Sequence, residues 1–423
     1  MKTPIIVIGA GGAGIIAAWK AALSGAPVML LEKNARPGVK ILISGGGKCN
    51  ITHTGTIEEV LNAFCAGEKR FLKPSMHRFS NADILELLRN EAISTYARPN
   101  GRVFPEHGTA RDVMRAFSSV LEKAGVRISL QSRVERIVRE NNSIRGVVVN
   151  SEEVPTSHLI IATGGKSYPK TGTTGDGFAW AKELGHTLVP LRAALAPMVV
   201  TPTLPREWQG IALRGCRLFA VGAGRRIASW DDDVLFTHEG VSGPAALEVS
   251  RSVAAALESH EVELFIDFFP GKEFDTLDDD LNAYVQSQRQ KTIATLLDAW
   301  MPNRLVEWFL VRIGVSALTR GIVLSRDDRR AIAHALKEWS LGTVAEVPLE
   351  RGEVTAGGVT LREVDPRTMR SRIVRGLYLC GEVLDIAGPI GGYNLQAAFS
   401  TGFVAGESAA ASWHAEGDET KDD

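Results

Sequence analysis

The first 35 residues alternate between short apolar runs and a glycine-rich turn. Ile5–Ile8 is a continuous apolar run, and a second one covers residues 28–31. Runs of this kind are typical of strands that are buried on both faces of a parallel sheet. Between them, residues 12–23 are rich in alanine, and their apolar positions have helical spacing. The pattern predicts a βαβ unit at the start of the chain.

The same criteria predict the later elements. Helical periodicity covers residues 82–88 and 110–124, and three short apolar runs then predict an antiparallel meander over 126–130, 134–138 and 144–149. A buried strand in residues 158–165 ends in a glycine doublet. Further along the chain, the pattern indicates short strands from about residue 190, amphipathic helices over 277–318 and 327–339, strands again from 344, a strand over 376–381, and an alanine-rich helix that ends at 411.

This order of elements predicts an α/β protein with one Rossmann-type nucleotide-binding domain that is built from both ends of the chain. We assign its first part to residues 1–190 and its second part to 346–411. Residues 191–345 interrupt this domain as an insert. Residues 412–423 are polar and acidic, and we expect them to form a solvated tail.

The charge balance indicates no bulk attraction to an anionic partner. The 423 residues include 48 Lys and Arg against 49 Asp and Glu, so binding to a nucleic acid or to a membrane surface would require a local patch. We therefore expect a small-molecule substrate, no membrane partner and no nucleic-acid partner, and we leave the oligomeric state open. The four cysteines are far apart in sequence and no His cluster accompanies them, which predicts free thiols, no metal site and a cytoplasmic location.

The glycine-rich turn fits the dinucleotide fingerprint G-x-G-x-x-G. In Gly9-Ala-Gly-Gly-Ala-Gly14, Gly9 makes the tight turn, Gly11 lets the backbone approach a pyrophosphate, and Gly14 lets the helix pack on the strand. The helix that begins near Gly12 then directs unpaired N–H groups and a partial positive charge at the phosphates. Glu32 ends the second strand, where a carboxylate accepts hydrogen bonds from the ribose hydroxyls. Since that carboxylate would repel a ribose 2′-phosphate, the turn predicts FAD or NAD rather than NADP.

Two further segments favour FAD. Residues 40–50, Lys-Ile-Leu-Ile-Ser-Gly-Gly-Gly-Lys-Cys-Asn, offer three glycines flanked by Ser44, Lys48 and Asn50 for close approach to a flat polar ring. Near the C-terminus, residues 377–396 read as strand, turn, glycine loop and helix. Asp385 or Glu382 is a candidate for holding the ribityl hydroxyls, and a helix starting near Asn394 would direct its N–H groups at the flavin N1/C2=O edge.

The sequence also resembles the HI0933-like flavoproteins, a bacterial group known too as the BaiN/RdsA or aminoacetone-oxidase family of FAD-dependent oxidoreductases. The resemblance covers residues 1–407 and is carried by blocks at 9–14, 40–50, 101–105, 162–165, 173–177, 236–244 and 381–396. It implies an FAD-binding Rossmann-type domain of the two-dinucleotide-binding-domain kind, interrupted by a small β-barrel and a helical bundle. The residues that the resemblance places against noncovalent FAD are Gly9, Gly11, Gly12, Ala13, Gly14, Glu32, Lys33, Lys40, Ser44, Gly45, Gly46, Lys48, Cys49, Asn50, Val134, Thr163, Gly164, Gly165, Gly381, Glu382, Asp385, Gly392, Asn394 and Leu395.

Three residues are weak catalytic candidates. Arg102 could hold a substrate carboxylate, His107 could act as an acid, and a Cys49 thiolate could react with flavin or substrate. The chain departs from its relatives at residues 106–109, Glu-His-Gly-Thr, where the relatives more often carry a small polar residue and a lysine. That departure leaves the catalytic residues unassigned.

The sequence thus predicts an FAD-dependent oxidoreductase in which hydride passes through flavin N5, between NAD(P)H or a small organic substrate and an alkene or dioxygen. Residues 221–226 contain Gly-Ala-Gly-Arg-Arg but indicate a hairpin turn, so NAD(P)H would bind only transiently. Two alternatives stay open. One is a flavin-dependent RNA-modifying enzyme, for which the Arg225-Arg226 and Arg329-Arg330 pairs are sparse evidence. The other is a dinucleotide-binding sensor without catalysis.

Overall fold

The computed structural model describes residues 2–418, with side chains described through residue 416. It divides the chain into two compact units. The first unit contains residues up to 191 and from 354 onward, and the inserted unit contains residues 192–353. The inserted unit therefore extends past the expected boundary at 345, because the chain stays paired with it as far as Glu353, whose N–H donates to Leu195 O at 3.0 Å.

The centre of the first unit is a five-stranded parallel sheet. Its strands, in spatial order, are β19 (Leu377–Leu379), β10 (Leu159–Ile161), β1 (Ile5–Ile8), β2 (Val28–Leu31) and β6 (Arg127–Ser129). All residues of β1, β10 and β19 are buried, as their continuous apolar character predicts for central strands. The last strand in sequence, β19, pairs with β10, and β10 pairs with the first strand, β1. Both ends of the chain therefore build one sheet, and the predicted Rossmann-type fold is confirmed.

Helices cover this sheet, and two of them pack unusually closely. The helix α1 (Gly12–Leu23) lies against α13 (Tyr393–Asp418), where a Cβ on Gly402 or Gly406 would overlap the carbonyl oxygens of Ala13 and Ala17. The other helices of this unit are α2 (Val39–Ile43), α3 (Ile57–Asn62), α4 (Ala66–Arg78), α5 (Asn81–Asn90), α6 (Ala110–Lys123) and α7 (Asp176–Glu183).

Two small antiparallel sheets complete the unit. One has the order β3 (Thr52–His53), β5 (Arg102–Pro105) and β4 (Thr95–Ala97), and the other is β7 (Val134–Glu140), β8 (Ser143–Val149) and β9 (Glu152–Pro155). The expected meander over 126–149 was wrong in its first strand: β6 pairs in parallel with β2, and β9 takes its place. Strands β11 (Leu188–Ala194) and β18 (Val354–Val359) form a separate two-stranded sheet.

The inserted unit contains a closed six-stranded barrel followed by helices. Around the barrel the strands are β12 (Met198–Thr201), β15 (Gly240–Ser242), β14 (Arg225–Phe236), β13 (Ala212–Gly222), β16 (Val262–Asp267) and β17 (Trp339–Glu346). The helices are α8 (Pro244–Ala256), α9 (Phe274–Ser287), α10 (Ile293–Leu297), α11 (Asn303–Arg312) and α12 (Arg326–Lys337). Residues 221–226 lie at the tight turn between β13 and β14, as expected for a hairpin.

The C-terminal tail differs from the expectation. Helix α13 continues past residue 411 to Asp418, because Trp413 anchors it: the indole Nε1 donates to Thr3 O at 2.8 Å. Residues 412–418 are therefore helical rather than a solvated tail, and residues 419–423 lie outside the described residues. Within the described chain, no helix combines the length and the apolar character that crossing a membrane requires.

Candidate functional site

The glycine turn after β1 is fixed by two close backbone approaches. Gly9 has a φ of 98°, and a Cβ there would lie 2.7 Å from Ala162 O at the end of β10. A Cβ on Gly14 would overlap Gly9 O, so α1 can begin beside β1 only with glycine at that position. The two outer glycines of the fingerprint are therefore required by packing within the protein.

The middle glycine differs from them, because a Cβ on Gly11 would meet no atom within 4 Å. Gly11 is the N-cap of α1, with no side-chain cap and no acidic residue in the first turn of the helix. The first N–H groups of α1 thus face an open position, and no protein carboxylate of that turn competes for them. This arrangement suits a pyrophosphate at the helix N-terminus.

Glu32 lies directly after β2 and is buried. Its Oε2 accepts a hydrogen bond from Ala10 N at 2.9 Å, and its Oε1 accepts one from Asn34 N at 2.8 Å. Each carboxylate oxygen keeps acceptor capacity for a ribose hydroxyl. The backbone of Glu32 also bonds Ser132 N at 2.9 Å, which places the start of β7 at Val134, the expected adenine contact, next to the same crevice.

Lys33 does not extend freely into solvent. Its Nζ donates to Asp176 Oδ2 at 2.7 Å and to Thr174 Oγ1 at 2.5 Å. Although burial opposes ionisation of Asp176, the Lys33 ammonium outweighs it and holds the pKa of that carboxyl below its ordinary value. Lys33 therefore ties the loop after β2 to the start of α7.

The second glycine loop follows α2. In residues 44–47 the backbone makes a 3₁₀ turn in which Gly45, Gly46 and Gly47 all have positive φ. A Cβ on Gly45 would lie 2.9 Å from the Phe104 ring, whereas one on Gly46 would meet nothing within 4 Å. Ser44 Oγ donates to Ile41 O at 2.8 Å, and Lys48 is exposed. The loop presents mainly bare backbone, as the three glycines predict.

Asn50 joins this loop to the C-terminal segment. With its amide oriented to suit its neighbours, the side chain donates to Thr52 O at 3.2 Å and accepts from Gly392 N at 3.0 Å. A second link lies close by, where Thr52 Oγ1 donates to Gln396 Oε1 at 2.7 Å. Segments that are more than 300 residues apart in sequence therefore form one surface.

Lys40 and Glu382 form the most connected polar cluster of the site. Lys40 Nζ donates to Glu382 Oε2 at 2.8 Å and to Ser167 Oγ at 3.0 Å. Glu382 Oε1 also accepts from Thr355 N at 2.8 Å, and Thr355 Oγ1 accepts from Lys166 N and Ser167 N. The cluster connects strand β18 with the segments that follow β2, β10 and β19.

The loops after β10 and β19 meet the fingerprint at the carboxyl ends of the central strands. Gly381 has a φ of 74°, and a Cβ there would lie 2.8 Å from Ala13 Cβ. Gly164 lies near Thr173, and a Cβ on Gly165 would meet Glu382 Oε1 at 2.6 Å. Ligands of open α/β sheets bind at this edge. The buried Thr163 Oγ1 has no partner among the described residues, which leaves a polar atom available there.

The remaining C-terminal candidates are Asn394, Asp385 and Leu395. Asn394 is occupied within its own loop, since Oδ1 accepts from Gly388 N and Nδ2 donates to Gly388 O, both at 2.8 Å. Asp385 Oδ1 accepts from Gly357 N at 3.1 Å. Leu395 lies beside Gly12, and α13 begins at Tyr393, so its N-terminus lies near the start of α1. The side-chain amide of Asn394 thus holds the glycine loop in shape.

The three weak catalytic candidates have different surroundings. Burial raises the pKa of the Cys49 thiol to about 12, so a neutral thiol that packs in the loop fits better than a nucleophile. Arg102 is half-buried on β5, opposite His53, and its guanidinium has no partner within residues 2–416. His107 is exposed. Of the three, Arg102 has the surroundings of an anion-binding side chain.

A scan of the chain against protein families matches the HI0933-like protein Rossmann domain over residues 3–408. The chain belongs to the HI0933-like family. Like its relatives, it is a flavin-dependent oxidoreductase, and the predicted family and enzyme class are confirmed. Its fold is shared more widely: the 3-ketosteroid Δ1-dehydrogenase of Sterolibacterium denitrificans superposes with a TM-score of 0.53 at 14% identity, covering 97% of this chain and 100% of that one.

Two curated relatives match this HI0933-like protein over nearly their whole length. The ribosomal RNA dihydrouridine synthase of Haemophilus influenzae is 32% identical over 403 residues, which are 94% of this chain and 96% of the relative. The 3-dehydro-bile acid Δ(4,6)-reductase of Clostridium scindens is 31% identical over 412 residues, which are 96% of this chain and 98% of the relative.

The residues present fit an FAD molecule at this site. The open position at Gly11, the α1 N-terminus, the carboxylate of Glu32 and the unpartnered Thr163 Oγ1 lie at one edge of the sheet. The second glycine loop and the N-terminus of α13 add bare backbone further along. The sequence did not identify Ser167, Asp176 and Thr355 as site residues, although Asp176 lies in the conspicuous block 173–177. The partners of these three residues are distant in sequence, so local spacing could not reveal the contacts.

Proposed function

We propose that this protein holds FAD noncovalently and reduces a carbon–carbon double bond that is conjugated with a carbonyl group. FAD supplies hydride transfer at its N5 atom when it is bound. The two curated relatives act on chemically related bonds, since the 5,6 bond of uracil and the Δ(4,6) bonds of a 3-oxo steroid are both conjugated with carbonyls. We therefore propose an activated alkene, rather than dioxygen, as the acceptor of electrons from the reduced flavin.

The observation that carries the proposal is the crevice at Gly11. Its open side faces the uncapped start of α1, and Glu32 lies at the end of the neighbouring strand. The protein's part is to bind and orient: the first N–H groups of α1 would hold the pyrophosphate, and Glu32 would hold the adenosine ribose. The glycine loop at 44–47 would give backbone N–H groups to a polar ring, and Arg102 is the candidate for the substrate carbonyl.

Noncovalent binding is supported by the surroundings of His53, the nearby side chain that could attach to a flavin. Both ring nitrogens of His53 face carbonyl oxygens, Thr54 O at 2.8 Å and Asn100 O at 3.0 Å. The ring also stacks on Tyr393 with centroids 4.6 Å apart. A side chain engaged in this way holds two loops together.

NAD(P)H is the proposed reductant and would bind transiently. The chain carries a single G-x-G-x-x-G fingerprint, and residues 221–226 are a hairpin turn. The direct test is to purify the protein, record the flavin absorbance, and add NADH and NADPH separately without oxygen. We expect a yellow protein that bleaches with one of them and regains its colour on addition of a conjugated enone. A colourless protein that does not take up FAD would contradict the proposal.

A second candidate function is the reduction of uridine in RNA. One observation favours it, namely the 32% identity to the ribosomal RNA dihydrouridine synthase over nearly the whole of both chains. The two candidates share the flavin chemistry and differ in substrate. Supplying the reduced enzyme with a uridine-containing RNA or with a small cyclic enone under the same conditions, and comparing the rates of flavin reoxidation, separates them.

A further inference from the structure

The inserted unit exposes a concentration of apolar side chains that its own core does not use. Within residues 308–323, five large apolar side chains are strongly exposed: Trp308 (48%), Val311 (73%), Leu318 (81%), Ile322 (46%) and Val323 (69%). Single exposed apolar residues are ordinary on protein surfaces, but a contiguous group of them marks an interaction site.

The first part of this group lies on helix α11. Trp308 and Val311 are three residues apart and share a helical face, to which Arg304 also belongs. Leu305 and Phe309 are buried and define the opposite face. The outer face of α11 therefore carries two large apolar side chains with Arg304 at its start and the exposed Glu307 beside them.

The second part lies on a short ribbon made from residues 289–294 and 317–322. Thr292 pairs antiparallel with Arg320, Gly321 N donates to Lys291 O at 3.0 Å, and Ile322 N donates to Arg289 O at 2.8 Å. Leu318 lies in the turn just before this bridge, and Ile322 lies in the 3₁₀ turn Gly321–Val323 just after it, and both side chains are exposed. The ribbon thus exposes two aliphatic side chains that flank the exposed Arg320 in sequence.

The charge around these apolar groups is positive. Residues 289–326 contain six Lys and Arg but only two Asp and Glu, whereas the whole chain has a formal net charge of −1. Five of these cations, Arg289, Lys291, Arg304, Arg320 and Arg326, are exposed and have no carboxylate partner within residues 2–416. This is the local patch that the balanced total charge does not reveal.

We propose that α11 and the ribbon form a docking surface for an anionic lipid bilayer, with the apolar tips entering the boundary between headgroups and acyl chains and the cations contacting lipid phosphates. A second copy of the chain fits poorly, because a two-fold contact would bring the same cations together. RNA fits less well than lipid, since bases stack on aromatic rings and four of the five exposed groups are aliphatic. The contact is peripheral and is independent of the function proposed above.

The test is cosedimentation of the flavin-loaded full chain with vesicles. We expect binding to vesicles of phosphatidylcholine with phosphatidylglycerol, little binding to phosphatidylcholine alone, and loss of binding at high salt. Leu318→Ser with Val323→Ser, and separately Arg320→Glu, should each weaken the partition coefficient about tenfold or more. The matched controls are Trp230→Ser, an exposed apolar residue of the barrel, and Arg145→Glu, an exposed cation of the first unit, and both should bind as the unaltered chain does.

A spectroscopic readout tests the same surface without relying on sedimentation. The fluorescence spectrum of the unaltered chain minus that of Trp308→Phe should shift to shorter wavelength when anionic vesicles are added, as the indole leaves water. The proposal is overturned if anionic vesicles do not bind the chain, or if they bind all variants equally. Tight binding of a labelled RNA hairpin that Arg320→Glu abolishes, with no vesicle binding, would assign the surface to nucleic acid instead. Circular dichroism verifies that each variant is folded.

Discussion

Two glycine-rich loops line the cofactor crevice of the first unit, and they depend on glycine for different reasons. In the first loop, residues 9–14, Gly9 and Gly14 have no room for a Cβ because backbone carbonyls approach them closely. In the second loop, residues 44–47, Gly46 has ample room but a φ of 67°. Gly14 is thus required by packing, whereas Gly46 is required by backbone conformation alone; Gly9 in the first loop and Gly45 in the second combine both requirements.

The difference shows which glycines serve the fold and which remain for a ligand. Gly11 has an ordinary φ of −85° and open space around it, so neither packing nor conformation of the protein requires glycine there. A residue that the folded protein does not explain is a candidate for contact with the cofactor. Substitutions to alanine therefore separate the three requirements.

The largest effect is expected for Gly14→Ala. Its Cβ would overlap Gly9 O, and relief of that overlap requires α1 to move away from the turn that follows β1. Overpacking of this kind costs about 1–3 kcal/mol or more, and here it also disturbs the crevice. We expect a lowered midpoint of urea unfolding for the apoprotein together with loss of FAD from the purified protein.

The matched variant is Gly11→Ala. Its new methyl group enters open space, so the free energy of unfolding of the apoprotein should change by less than about 0.5 kcal/mol. FAD affinity should nevertheless fall, because the methyl group occupies the position where the backbone must approach the pyrophosphate. Equal FAD affinity in Gly11→Ala and the unaltered protein would remove the reason for placing FAD at this turn.

A smaller effect is expected for Gly46→Ala in the second loop. No atom obstructs the added methyl group, so only the left-handed conformation opposes it, at a cost of roughly 1–2 kcal/mol. Gly46→Asn should cost less, since asparagine tolerates this conformation better than alanine. Urea unfolding of the three proteins should rank them glycine, asparagine, alanine, and the reverse order of the two variants would show that contacts rather than conformation set this loop.

Lys40→Met tests the ion pair that fastens the second loop to the C-terminal segment. Lys40 and Glu382 are 342 residues apart and partly buried, and the substitution leaves the carboxylate with fewer donors. We expect a loss of about 1–2 kcal/mol in the free energy of unfolding. The control is Lys73→Met, whose partner Glu58 is on the surface, and no measurable change is expected there. Equal losses in both variants would mean that Lys40 adds no more than a surface ion pair does.

The first loop could be predicted from the sequence because its signal is local. The strand, the three glycines, the helix and Glu32 all lie within 32 residues, and each has a recognisable pattern. The Lys40 cluster could not be predicted in this way. Ser167, Thr355 and Glu382 are distant from Lys40 in sequence and come close to it only because the folded strands place them together. Strand β6 shows the same limit: its short apolar run indicates a strand but not the partner with which it pairs.

The other differences between the elements expected from the sequence and those in the structure also have physical explanations. Helices α3 and α4 carry many polar residues within 57–78, so their periodicity is weak, although Thr56 with Glu59 forms a capping box that signals the start of α3. The close packing of α13 on α1 does have a signature, the small residues Gly402 and Gly406 one helical turn apart. The extension of α13 past 411 depends on Trp413, whose partner Thr3 is at the other end of the chain.

The last prediction concerns Cys49, whose thiol lies just after the second loop. Burial holds the pKa of Cys49 near 12 against an ordinary value of 9.0, whereas Cys65 is exposed. Iodoacetamide at pH 8 should therefore alkylate Cys65 and spare Cys49 until the protein unfolds, as read by peptide mass spectrometry. As pH rises from 9 towards 12, the unfolded chain loses the Cys49 proton while the folded chain keeps it. The free energy of unfolding should then fall by up to about 1.4 kcal/mol per pH unit, and Cys49→Ala should remove that part of the slope. Alkylation of Cys49 in the folded protein as fast as Cys65 would show that the second loop opens readily, in contrast to the closely packed first loop.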